Sequence, residues 1–281
     1  PVACLGDRVM LSAAPHRMVA AGLGDLLSKP VSNADWLLAR TLADGVYSNT
    51  AADLITASAD FVDGVAGQLP APDAVGKLMA SLCLSGLAMS VAGTSAPASG
   101  GEHLISLYLD MTHHAFGAAN DLHGCQVGVA TIATAALYEK LLALDPQTID
   151  IDGLITRHPA WNDYEPVVRD RFGPLATAVL SHARKGRPTR DALRARLTHL
   201  RETWDELLSA LRPTLRGPDA IRADLLAAHC PTNFAALGID TERARRTIVH
   251  SKDIRPRYTI LHLAAELGRL EEWTADLVGV I

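Results

Sequence analysis

Between residues 99 and 131 the stretch "SGGEHLISLYLDMTHHAFGAANDLHGCQVGVAT" carries four histidines, His103, His113, His114 and His123, in a chain otherwise dominated by alanine and leucine. Imidazole is a common ligand for zinc and iron. A catalytic ion of this kind commonly takes three His, Asp or Glu ligands and leaves a position open for water or substrate. Helix geometry sorts the four histidines. If residues 102–116 form one helix, His103 and His114 share a face but lie about 16 Å apart along the axis, too far for one ion. His113 and His114 are adjacent and point in different directions. His103 and His123 meet only if the chain reverses between them, and Gly117, Asn120, Asp121 and Gly124 in "GAANDLHG" supply turn-forming residues for that. A third ligand is on offer in "AAGLGDLLSK", where Asp25 follows Gly22 and Gly24 at a point that permits close approach. Eleven histidines and 31 acidic residues allow many such triples, so spacing nominates Asp25, His103 and His123 without selecting them.

The elements that must position these residues read as helices. Hydrophobic residues make up 48% of the chain and aromatics only 5%, so the core is built from Ala, Leu, Val and Ile, which favours closely packed helices. Residues 1–14 predict a short extended segment, and residues 15–281 a single all-α domain. The first helix starts at about Pro15 and breaks at Pro30, with Ser32 or Asn33 capping the next. Further helices are expected over 51–68, from an Asp73 cap to about Ala92, and over 102–116, 123–144, 163–184, 189–212, 218–229, 240–250 and 256–279. "AGTSAPASGGE" is a loop, and "TIDIDGLI" is the one strand-like run, weakened by its aspartates.

The net charge of -5 and pI near 6.1 argue against nucleic acid or an anionic membrane as the main partner, while leaving room for a small anion held by a local Arg/Lys cluster. Cys4, Cys83, Cys125 and Cys230 form no CxxC pair, which suggests neither a disulfide framework nor a thiolate zinc site and fits a cytoplasmic location. Charged residues are expected to interrupt every apolar run before it reaches a membrane span, and the start lacks the pattern of a signal peptide. No glycine-rich turn between a strand and a helix offers a cradle for a pyrophosphate.

"AAGLGDLLSK", "SGLAMSVAGTSAPASGGEHLISLYLDM" and "LHGCQVGVATI" stand in an order and separation that resembles the metal-dependent alcohol dehydrogenase superfamily, most closely its sn-glycerol-1-phosphate dehydrogenase branch. "RFGPLATAVL" and "DIRPRYTILHLAAELG" are similar to further segments of that branch. The resemblance implies the C-terminal helical domain of a dehydroquinate synthase-like fold, with residues 1–14 left from the junction with a nucleotide-binding domain. It implies Asp25, His103 and His123 as ligands of a divalent metal, zinc first with nickel or iron as alternatives, and His113 and His114 as bystanders. The implied reaction is reduction of dihydroxyacetone phosphate, a small phosphorylated ketone, by NADH or NADPH, with the ion as Lewis acid at the ketone oxygen.

NAD(P)H is expected only in the complete enzyme, with the nucleotide site on a missing domain or a partner chain. The isolated chain is therefore expected to show little or no turnover, and its uncovered face to promote homo-oligomers. Lys252, Arg255 and Arg257 are nominated for the substrate phosphate, against the alternative that they are solvated charges at the entry to the last helix. Three positions depart from the family pattern: Ala96 in place of an arginine, Cys125 in place of a glutamate, and His262 in place of an aspartate. Two other readings stand beside this one: a dehydroquinate synthase-like lyase, and a non-enzymatic helical module that keeps the metal site.

Overall fold

The computed structural model describes residues 3–60, 63–279 and 281, and every regular element among them is helical. The first half contains α1 (Arg8–Ser12), α2 (His16–Leu27), α3 (Lys29–Leu42), α4 (Asn49–Asp60), α5 (Pro72–Ala92), α6 (Gly101–Phe116), α7 (His123–Leu142) and α8 (Ile151–Arg157). The second half contains α9 (Trp161–Phe172), α10 (Ala176–Gly186), α11 (Arg190–Glu202), α12 (Trp204–Leu211), α13 (Pro218–Ala227), α14 (Thr241–His250), α15 (Ile260–Glu266) and α16 (Leu270–Leu277). The expected all-α class holds.

α7 is the axis of the fold. Small and apolar residues run right round it, so Gly124 to Tyr138 are buried without a break, as an all-round apolar helix requires. α2, α6, α13, α15 and α16 pack directly on it. Its Ile132, Leu137 and Leu141 are fully buried, each worth about 1.5–3 kcal/mol in apolar surface removed from water. A smaller cluster of Trp36, Ala51, Ala52, Ile55, Ala88 and Ala98 joins α3, α4 and α5 to the loop that precedes α6.

Several boundaries differ from the sequence expectation, each for a local reason. Within the segment expected to be extended, residues 8–12 form α1, because the Asp7 carboxylate accepts from the Val9 and Met10 amides at 2.8 and 3.1 Å. Residues 1 and 2 of that segment lie outside the described residues. Pro30 does not separate two helices by a loop; it sits in the first turn of α3, where its missing amide hydrogen costs nothing. The helix expected over 51–68 ends at Asp60, and Ala66–Gln68 make a short 3-10 turn; Phe61 and Val62 lie outside the described residues. Asp73 stands in the first turn of α5 rather than at its cap.

The long helices expected over 163–184 and 256–279 are each divided at a glycine with positive φ, Gly173 (49°) and Gly268 (68°), and the one over 189–212 at Thr203. "TIDIDGLI" leads into α8 instead of a strand, capped by Asp150, which accepts from the Gly153 amide at 2.9 Å. α5 corrects the membrane expectation: among the described residues it is the one helix long and apolar enough, by length and composition only, to cross a membrane. Asp73 and Lys77 lie near its start and leave the rest uncharged, and 33% of the qualifying stretch is buried in this fold. The cysteines, unrelated by spacing, come together in two pairs. Cys4 and Cys83 have their sulfurs 3.8 Å apart, and Cys125 and Cys230 3.9 Å apart.

Candidate metal centre

Asp25 lies in the last turn of α2, His103 in the first turn of α6 and His123 at the first position of α7. Three helix ends therefore meet at one point, and glycine makes the meeting close. A Cβ on Gly24 would stand 2.2 Å from the Gly124 carbonyl oxygen, and one on Gly124 would stand 1.8 Å from that of Ala21. Backbone thus touches backbone one residue before Asp25 and one residue after His123.

The ligand atoms of Asp25, His103 and His123 lie within 4.8 Å of one another. His103 Nε2 is 3.2 Å and His123 Nε2 3.9 Å from Asp25 Oδ1, and the two imidazole centroids are 5.3 Å apart. The Nδ1 atom of each ring is engaged elsewhere: that of His103 with Glu102 Oε1 at 2.8 Å, that of His123 with Ser106 Oγ at 3.0 Å. Such outer partners fix ring orientation and leave Nε2 to face the common point, as around metal-bound histidines. Lys29, one turn after Asp25, places Nζ 3.0 Å from Asp25 Oδ2 and donates to the Ala98 carbonyl at 3.1 Å and to Ser28 Oγ at 3.3 Å. This donor set, one carboxylate oxygen and two imidazole nitrogens with an exposed side at His123, fits a divalent ion with an open coordination position.

Burial alone would raise the Asp25 carboxyl, but the hydrogen bond with His103 and the Lys29 charge hold it well below the usual carboxylate range. Burial pushes His103 towards neutrality, and the flanking Asp25 and Glu102 carboxylates more than reverse this. His123 is lowered by burial and by its neighbour His103, which favours the neutral imidazole that a metal needs.

Behind His103 lies a second layer of buried acid. Glu102 is fully buried and accepts from the Gly100 amide at 2.7 Å and from Ser32 Oγ at 2.6 Å, while its Oε2 has no partner. Asp35 accepts from the Gly101 and Ile260 amides and from the Tyr138 hydroxyl, at 2.7, 2.6 and 2.7 Å. Burial and the Glu102 charge push Asp35 up to about 7. The two carboxyl groups crowd one point, since a Cβ on Gly100 would meet Asp35 Oδ2 at 2.5 Å and Glu102 Oε2 at 2.8 Å.

Of the residues nominated from sequence, the structure brings together Asp25, His103 and His123. His113 instead pairs its Nδ1 with the Ala118 carbonyl at 2.7 Å and His114 is exposed, so neither joins them. Lys252, Arg255 and Arg257 do not converge. Lys252 is turned into the fold, donating to the Tyr164 hydroxyl at 2.6 Å and to Asp253 at 2.7 Å. Arg255 is exposed. Arg257 alone reaches the loop before α6, donating to Ser95 Oγ at 2.7 Å and to the Ser99 carbonyl. Ala96 lies on that same loop.

Cys125 is fully buried against Cys230, and His262 is buried with Nδ1 3.1 Å from Thr259 Oγ1, its pKa pushed down to about 3 by burial and the Lys252 charge. Sequence reasoning missed Lys29, Ser106, Glu102 and Asp35. The spacing signal for Lys29 was present, four residues after Asp25 on one helical face; the other three are readable only once α3, α6 and α7 are docked.

Three helix termini that converge two imidazoles and a carboxylate define a helical domain with a candidate catalytic-type metal site. No family model matches the chain. Curated relatives do match half of it, and they are glycerol-1-phosphate dehydrogenases that use NAD(P)+. The protein of Bacillus licheniformis is 41% identical over 146 residues, 50% of this chain and 36% of the relative. That of Pyrococcus horikoshii is 40% identical over 140 residues, 49% of this chain and 39% of the relative. That of Bacillus subtilis is 39% identical over 145 residues, 50% and 36% respectively. Over that half the chain is homologous to these dehydrogenases, and the match spans little more than a third of their length.

Proposed function

We propose that this chain is the metal- and substrate-binding domain of an NAD(P)-linked sn-glycerol-1-phosphate dehydrogenase that reduces dihydroxyacetone phosphate. The observation that carries the reading is the convergence of Asp25, His103 and His123, each held by its own outer partner, in a chain whose relatives carry that name. Asp25, His103 and His123 hold a divalent ion, zinc in the first instance, with nickel or iron compatible with the same donors. When bound, the ion supplies Lewis acidity towards a ketone oxygen and the alkoxide it becomes.

The chain's own residues prepare that site. Glu102 and Ser106 lock the two imidazoles so that both Nε2 atoms face one point. Lys29 holds the Asp25 carboxylate ionised and in register from within the fold. Arg257 brings a guanidinium to the Ser95–Ser99 loop, where Ala96 leaves the family's arginine position uncharged, and it takes over recognition of the substrate phosphate at that edge. This narrows the three cations nominated from sequence to Arg257.

The nicotinamide cofactor belongs to the complete enzyme, on a nucleotide-binding domain or partner chain that meets this one across the metal site. A cytoplasmic location and self-association of the isolated domain belong to the same proposal. The named relatives are dehydrogenases, which favours this reading over a dehydroquinate synthase-like lyase.

Calorimetric titration of the zinc-loaded chain with dihydroxyacetone phosphate tests the proposal. Saturable binding that needs the metal and weakens several-fold in Arg257→Ala is the expected outcome. Stoichiometric zinc with no ketone binding identifies a metal-binding module without this substrate and rejects the dehydrogenase reading.

A further inference from the structure

The segment before α1, together with Arg8 at the start of α1, lies along α5 in a fixed register. Arg8 Nη1 pairs with Asp73 at 2.6 Å, and the Arg8 side chain crosses Gly76 so closely that a Cβ there would stand 2.6 Å from Arg8 Cδ. Gly6 passes Met79, where a Cβ would stand 3.0 Å from Met79 Cγ, and Cys4 reaches Cys83, with the sulfurs 3.8 Å apart. Residues 8, 6 and 4 thus step along α5 at 73/76, 79 and 83, antiparallel to the helix. Two residues of extended chain advance about 6.6 Å and three to four residues of helix about 5 Å, so the two elements stay in step over this length. Both thiols are exposed and line one open groove between segment and helix.

We propose that Cys4 and Cys83 are a modification site: they form a reversible disulfide that staples the segment preceding α1 to the middle of α5. The sulfurs belong to residues 79 apart in sequence, and the Arg8–Asp73 pair and the Gly6 and Gly76 contacts bring them together rather than chain proximity. A low-molecular-weight disulfide such as glutathione disulfide is a sufficient oxidant. One cysteine thiolate attacks it, forms a mixed disulfide and releases one glutathione. The second thiolate then attacks the protein sulfur, closes the Cys4–Cys83 bond and releases the other glutathione. Two protein thiols lose two electrons, and the glutathione disulfide gains them. Cys125 and Cys230, 3.9 Å apart but 0% and 5% exposed, are sheltered from the same reagent and provide an internal control.

The test equilibrates the reduced 281-residue chain with glutathione buffers, traps free thiols with N-ethylmaleimide and maps peptides by mass spectrometry without reduction. The expected product is a Cys4–Cys83 linked peptide within the monomer, with Cys125 and Cys230 trapped only after unfolding. Arg8→Ala loosens the segment, so its linked fraction at a fixed glutathione ratio should fall several-fold. Cys83→Ser should leave only a glutathione adduct on Cys4. Separate glutathione adducts on Cys4 and Cys83 without a link, disulfide-joined dimers, or a linked fraction unchanged by Arg8→Ala would each overturn the proposal.

Discussion

Gly24 and Gly124 bring two helices into backbone contact beside the candidate metal centre: a Cβ on the first would stand 2.2 Å from the carbonyl oxygen of the second. No side chain can yield there, because the obstacle is peptide backbone. Gly124→Ala is therefore expected to force α2 and α7 apart, at a cost of about 3 kcal/mol. It should also weaken metal binding by separating Asp25 from His123. Urea unfolding and metal titration of the variant check both effects, and an alanine variant of wild-type stability contradicts the packing described.

Lys29 Nζ lies 3.0 Å from Asp25 Oδ2 with its side chain only 3% exposed, so a cation bound by Asp25 shares that carboxylate with it. Lys29→Met removes the positive charge beside that oxygen, so the metal-free protein should lose stability. A divalent ion then replaces the missing charge. The rise in Tm on adding zinc should be larger in Lys29→Met than in the wild type, and addition of a chelator should reverse it. An equal rise in both proteins contradicts the coupling.

Ser106 orients His123 through its Nδ1 at 3.0 Å. Ser106→Ala should keep the fold and lower metal affinity about tenfold, the range typical for an outer partner of a ligating histidine. Competition against a chromophoric chelator measures this. Unchanged affinity means that the His123 ring is held by packing alone.

Asp35 gives the stability a pH dependence of definite sign. Burial and the Glu102 charge push its carboxyl up to about 7 in the fold, against about 3.9 for an ordinary aspartate. Between these values the folded chain keeps a proton that the unfolded chain releases. The contribution is therefore complete below about pH 4 and is lost as pH rises towards 7, with a slope of roughly 1 kcal/mol per pH unit. Asp35→Asn cannot release that proton, so its stability should be flatter over the same window, as measured by denaturant unfolding at several pH values. An equal slope in both proteins contradicts the assignment.

Much of this was legible in the sequence, for reasons particular residues make plain. The turn formers between His103 and His123 permitted the chain reversal that brings the two histidines together, and the glycines before Asp25 allowed a close approach. Pro30 misled because proline is equally at home just inside a helix as between two helices, and here Ser28 keeps helical backbone angles, so that α3 starts directly after α2 with Pro30 in its first turn. The different directions of the tail cations were not legible: Lys252 and Arg257 are five residues apart, and nothing in their spacing reveals that one turns to Tyr164 and Asp253 and the other to the Ser95–Ser99 loop. Pairing of distant groups, such as Asp35 with Tyr138 or Cys4 with Cys83, depends on tertiary docking that no local pattern encodes.

The role proposed for Asp25, His103 and His123 is to hold one divalent ion together. Its most direct test is metal content by mass spectrometry of the purified chain and of an Asp25→Ala, His103→Ala double variant. About one equivalent of a transition metal in the first and none in the second is the expected result. A wild-type chain without metal after loading with zinc, nickel or iron, or a double variant that retains it, contradicts that role.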